Sequence, residues 1–62
     1  MELKAGTYAV MKDGRTIFIT KVMESGTEFI GNEVSRMDSP EVTASAAGID
    51  HIAKSKATMH KA

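Results

Sequence analysis

The chain has no cysteine and no tryptophan, one proline and only three aromatic residues in 62. Without cysteine, neither a disulfide framework nor a thiolate zinc site can hold a fold together. No stretch approaches the ~18 consecutive apolar residues of a membrane-crossing helix. The start, MELKAG, puts acid and lysine where a secretory leader needs an apolar run. Net charge is missing as well: eight Lys and Arg balance eight Asp and Glu. That argues against a disordered chain, which needs low hydrophobicity together with high net charge. The expected setting is the cytoplasm, with no membrane contact, and the initial Met reads as the start of a small gene product.

Length sets the next limit. A chain this short buries only ~60% of the surface that its unfolded form exposes. Leu, Ile, Val and Phe number 12 of 62, and most of them lie in the first half. The reading is one small domain over residues 1–62, with a β-rich core at 7–34 and a less patterned C-terminal segment at 38–62. With no staples and little core, self-association into a homo-oligomer is expected, because a second copy supplies buried area.

What is present is concentrated between Tyr8 and Val34. Tyr8 and Val10 alternate with Ala9 and Met11, the period of a strand. Asp13-Gly14 comes next, a strong hairpin signal of the type I′ kind, since Gly adopts positive φ at no steric cost. Arg15 to Met23 predicts a second strand, apolar on both sides, with Ile17 and Ile19 facing one way and Phe18 and Val22 the other. A strand apolar on both faces is usually covered on both, by a sheet that curls on itself or by a helix. Glu24-Ser25-Gly26 supplies a turn with Gly26 at positive φ. Thr27 to Gly31 predicts a third strand, Phe29 and Ile30 on opposite faces, and Gly31-Asn32 reads as a further pair of turn formers. Val34 and Met37 fit a short extra strand or irregular chain.

Beyond Asp38 two readings compete. Ser39-Pro40-Glu41 resembles a helix start, with Ser as N-cap, Pro at the first helical position and Glu in the first turn. Ala44 to Ala47 would continue that helix and Gly48 would end it. Alternatively Val42 to Ala46 forms a fourth strand with Val42, Ala44 and Ala46 inward. Ile49 to Ala62 fits a thin helical stripe of Ile49, Ile52, Ala53 and Met59.

The run YAVMKDGRTIFI resembles the opening of SH3-like and Sm-like small barrels. The likeness covers about a third of the chain, is a general hairpin pattern and brings no site residues with it. The fold class expected is mainly β: a small antiparallel sheet of three to five strands, curling into an SH3-like barrel, with a short helical or flexible C-terminal segment. The alternative is a three-stranded antiparallel sheet plus a C-terminal helix.

Tests for chemistry return little. His51 and His60 are nine apart, no natural metal pair, and Asp50 beside His51 does not share a helix face with it. The dispersed glycines open no phosphate loop. The hydroxyls have little room to build a nucleophile, base and acid into a pocket. The expectation is a non-enzymatic chain with no cofactor and no metal.

Two partner classes remain. The first is another protein, or a second copy, met through an apolar face or a strand edge. Its candidate residues are Met11, Phe18, Met23 and Met37, with Glu24, Glu28 and Glu33 setting orientation. These acids belong to a block at 24–41 that also holds Asp38 and Glu41 and is offset by Arg36 alone. The second class is nucleic acid, which would use Lys12, Arg15, Lys21 and the basic tail of Lys54, Lys56 and Lys61. Phe18 and Phe29 are expected in the core rather than as stacking platforms, and the acidic block would repel phosphate. The balanced charge favours the protein-binding, regulatory reading.

Overall fold

A computed structural model describes residues 3–54. The chain runs through β1 (Tyr8–Met11), β2 (Thr16–Val22), β3 (Glu28–Glu33) and β4 (Glu41–Ser45). A single 3-10 turn at Ala46–Gly48 then leads into β5 (Ile49–Ala53). All neighbours are antiparallel and the order across the sheet is β4-β3-β2-β1-β5. The mainly β expectation therefore holds, at its upper count of five strands.

Alternation in β1 is as read from the sequence: Ala9 and Met11 are buried while Tyr8 and Val10 lie on the other side. The core is Ala9, Met11, Ile17, Ile19, Phe29 and Ile49, with Leu3, Val22, Val42, Ala44, Ala46 and Ile52 packed against it. Residues of β4 and β5, at opposite edges of the sheet, thus share one core. Five flat strands would hold those edges about 19 Å apart at ~4.8 Å spacing, so the sheet is bent around its inner face. It does not close. β4 and β5 remain its two edges, and the barrel of the sequence reading is an open curled sheet.

Two details produce the bend. The β2–β3 register shifts between Ile19 and Lys21, leaving Thr20 as an extra residue whose hydroxyl donates to the Ile30 carbonyl. The shift also reverses the facing of the rest of β2, so Val22 joins Ile17 and Ile19 on the core side instead of Phe18. The second detail is Gly31, which is no turn former but sits mid-strand, paired with Ile19. A Cβ there would collide with the Phe18 carbonyl oxygen and would lie 2.8 Å from Ile17 Cγ2. Only glycine lets β2 and β3 approach so closely.

The first hairpin forms where Asp13-Gly14 places it, with a different turn. The Met11 carbonyl accepts from Gly14 N–H at 3.0 Å and Met11 N–H donates to the Arg15 carbonyl at 2.7 Å. Gly14 has φ +98, whereas Asp13 is not left-handed. That is a type I turn closed by a glycine bulge, not the two-residue type I′ loop. The Asp13 carboxylate finishes it, accepting from Arg15 N–H at 3.1 Å and Arg15 Nε at 2.9 Å. Gly26, at φ +74, closes the β2–β3 turn as expected.

Of the two readings beyond Asp38, the strand is the observed one. Val42 and Ala44 face the core while Glu41, Thr43 and Ser45 are exposed. The helix start fails because Ser39 takes φ +44 and the Pro40 carbonyl accepts from Glu33 N–H, extending the β3–β4 ladder. The helical stripe expected from Ile49 is likewise β5, paired with β1. Met59 lies outside the described residues. Val34 to Asp38 is a turn, held by the Arg36 N–H to Glu33 carbonyl bond of 3.1 Å.

Candidate interaction face

The inner face is filled by the core. The outer face is apolar at its centre and only partly exposed to solvent, and Ala53, at its β5 end, is buried. Register builds it row by row, because residues directly opposite on antiparallel strands share a face. Ala53, Tyr8, Phe18, Asn32 and Glu41 form one continuous row across all five strands. Val10 lies two residues along β1 from Tyr8, and Ile30 two residues along β3 from Asn32, so both are diagonal to Phe18. The Tyr8 and Phe18 rings have centroids 5.0 Å apart at an interplanar angle of 56°, a tilted pair of the favourable kind. Tyr8, Val10, Phe18 and Ile30 are all half-buried.

Polar groups frame this patch. Lys21 and Thr43 flank Ile30, and His51 lies beside Val10. His51 Nδ1 is 2.8 Å from Asp50 Oδ2. Glu28 and Glu41 stand exposed on the β3–β4 side of the same face. One flank of the face is therefore acidic.

The residues proposed from sequence are scattered by the fold. Phe18 is on the outer face and not in the core, a correction whose reason is that Ile17 and Ile19 take the inward positions. Met11 is only 4% exposed and faces the core, so it cannot meet a partner. Met23 is half-buried next to the β2–β3 turn, and Met37 stands fully exposed in the turn between β3 and β4. Glu24 is exposed in the β2–β3 turn and Glu28 lies on the outer face. Glu33 points to the inner side opposite Ile17 and is buried. The methionine-rich face of the sequence reading does not exist as one surface. Tyr8, Val10 and Ile30 are absent from the sequence-derived candidates, although strict alternation with buried Ala9, Met11 and Phe29 is the signal for them.

The basic residues do not converge either. Lys12 and Arg15 lie at the β1–β2 tip, and Arg15 is bound to Asp13. That pairing, led by the Arg15 backbone N–H, holds the Asp13 carboxyl below its ordinary value. Lys21 sits at the other end of β2, and Lys54 comes directly after β5. Lys56, Lys61 and His60 lie outside the described residues.

Among the described residues there is no cluster of three or more His, Cys, Asp or Glu placed to hold a metal ion, and no pocket opens. Nor is any helix among them long and apolar enough to cross a membrane. No family model matches the chain, and neither a curated protein nor a solved structure shows significant similarity to it.

Proposed function

We propose that this chain is a non-enzymatic, cytoplasmic protein-binding module that regulates or assembles with its partner through the outer face of its sheet, and that it self-associates. One observation carries the reading: Tyr8, Val10, Phe18 and Ile30 form a contiguous, partly exposed apolar patch on the side of the sheet opposite the buried core. Such a patch, centred on an aromatic pair and rimmed by polar groups, is the arrangement by which interfaces concentrate binding energy. Glu28 and Glu41 on one flank favour a partner with basic residues at the matching position, and they act on orientation and association rate more than on affinity. Nucleic acid is the poorer fit. Its stacking platforms would be Tyr8 and Phe18, but the acids on this face oppose phosphate and the cations lie at separate ends of the sheet.

The test is capture from extract of the source cell, treated with nuclease, on the immobilised chain and on its Phe18→Ser variant. Circular dichroism confirms that both are folded. A protein retained by the native chain and lost with Phe18→Ser supports the reading. Retention that is equal on both, or that nuclease abolishes, removes it.

A further inference from the structure

We infer that the edge of β4, unpaired among the described residues, pairs with β4 of a second copy, antiparallel about a twofold axis at Thr43, joining two five-stranded sheets into one of ten. The inference deepens the self-association just proposed by assigning its surface, and it does not depend on the outer face binding another protein.

The backbone supplies the first argument. Ala46 N–H donates to the Thr27 carbonyl at 2.8 Å, and Glu33 N–H donates to the Pro40 carbonyl at 2.9 Å. In an antiparallel ladder the residues that bond a given neighbour alternate. Positions 40, 42, 44 and 46 therefore face β3, and the main-chain groups of Glu41, Thr43 and Ser45 face away from the sheet. An edge of this kind is a template for another strand.

The two edges differ in how they are guarded. β5 has a register shift at Asp50, which breaks the row of groups that a strand would need. β4 is regular over all five residues, Glu41–Ser45, and carries neither Lys nor an internal Pro. Its guards are confined to one end, where Pro40 precedes the strand and exposed Glu41 begins it.

The side chains then select the occupant and the register. With Thr43 opposite its own copy, Glu41 meets Ser45 of the second copy and Val42 meets Ala44. Two Thr face each other at the axis, a favourable cross-strand pair. The Ser45 hydroxyl already accepts from Ala47 N–H at 3.2 Å, so its own O–H is free to donate to the Glu41 carboxylate of the other copy. On the inner side, half-buried Val42 and Ala44 gain the cover that β4 lacks as an edge. Sliding the pair so that Glu41 faced Glu41 would oppose like charges and shorten the ladder.

The experiment is sedimentation and light scattering over a range of micromolar concentrations, on the native chain and on Thr43→Lys. Thr43 is exposed and lysine is a common guard of strand edges, so the variant keeps its fold. Opposed lysines at the axis should raise the dimer dissociation constant by about tenfold or more. A second reading uses the absence of cysteine. Thr43→Cys should cross-link to itself on mild oxidation, since the ~5.5 Å Cα separation of such a pair suits a disulfide. Glu41→Cys should not, because four residues of strand, about 13 Å, separate the two copies of that position. A native chain that stays monomeric overturns the inference. So does a ring of more than two copies, or a dimer that survives Thr43→Lys and leaves Thr43→Cys unlinked. In the monomer case, loss of capture with Phe18→Ser would still stand for the outer face.

Discussion

Ile17 and Phe18 are neighbours in β2, both large and apolar, and their surroundings have little in common. Ile17 has no exposed area and belongs to a core drawn from the other strands as well as its own, whereas Phe18 leans on Tyr8 and keeps part of its surface in water. The same division runs through the whole sheet. Its inner side is closed off by curvature, by the Thr20 bulge and by the glycine at 31, while its outer side has an apolar centre with nothing folded across it among the described residues. Burial of apolar area is what stabilises a chain with no disulfide. The inner side must therefore carry stability, leaving the outer side free to use its apolar surface for contacts.

The largest expected effect tests the inner side. Phe29 is the largest fully buried side chain among the described residues, and Phe29→Ala should cost about 3–5 kcal/mol. A chain of this length has roughly 3–9 kcal/mol in total. Far-ultraviolet circular dichroism with a urea titration should find the variant largely unfolded or with a midpoint near zero denaturant. A cooperative transition close to that of the native chain would mean that the cluster around Phe29 is not what holds the sheet.

Phe18→Ala is the matching change on the outer side and should be milder. Roughly two thirds of the transfer free energy of a phenylalanine, plus the loss of an aromatic pair, amounts to about 2–3 kcal/mol. At roughly 4–8 °C per kcal/mol for a domain this small, thermal melting should shift by about 10–20 °C with the transition still cooperative. Equal losses from Phe18→Ala and Phe29→Ala would erase the distinction between the faces and make the outer side a second core.

How much of this division is legible in the residues depends on where local signals decide. In β1 and the first half of β2 strict alternation sorts Ala9, Met11, Ile17 and Ile19 from Tyr8, Val10 and Phe18, and the structure agrees. Size misleads at Phe18, since an aromatic residue in the most β-prone run is a natural core candidate. Only the competing claim of the two isoleucines turns it outward. Bulges are invisible to alternation, which therefore puts Val22 on the wrong side. Gly31 reads as a turn because nothing local reports that a carbonyl from the next strand occupies its Cβ position. Beyond Asp38, Ser-Pro-Glu and the alanines carry a real helical preference. Pairing with β3 and β1 overrides it, a non-local gain that propensity does not contain. The candidate face is the least legible part, because it is assembled from three strands and the acids and methionines that look clustered in sequence are dispersed by the fold.

The smallest effect belongs to a feature on neither face. Asp13 at the β1–β2 tip accepts from the Arg15 backbone and side chain, and its carboxyl is held below its ordinary value chiefly by the backbone bond. A carboxyl whose pKa is lower folded than unfolded adds stability that is present above the unfolded value, ~3.9, and is lost as pH falls through the folded one. Asp13→Asn keeps an oxygen to accept the backbone bond and removes only the charge. Melting temperatures followed from pH 7 to pH 2 should therefore start slightly higher for the native chain and converge with the variant below about pH 4. Both partners are solvent-exposed, so water screens the interaction and the gap should be the least of the three. A gap that persists to pH 2 would assign the tip a role independent of its charge. One comparable to the Phe18→Ala loss would put stability in the hairpin tip, which the division between a structural inner face and a contact-making outer face does not allow.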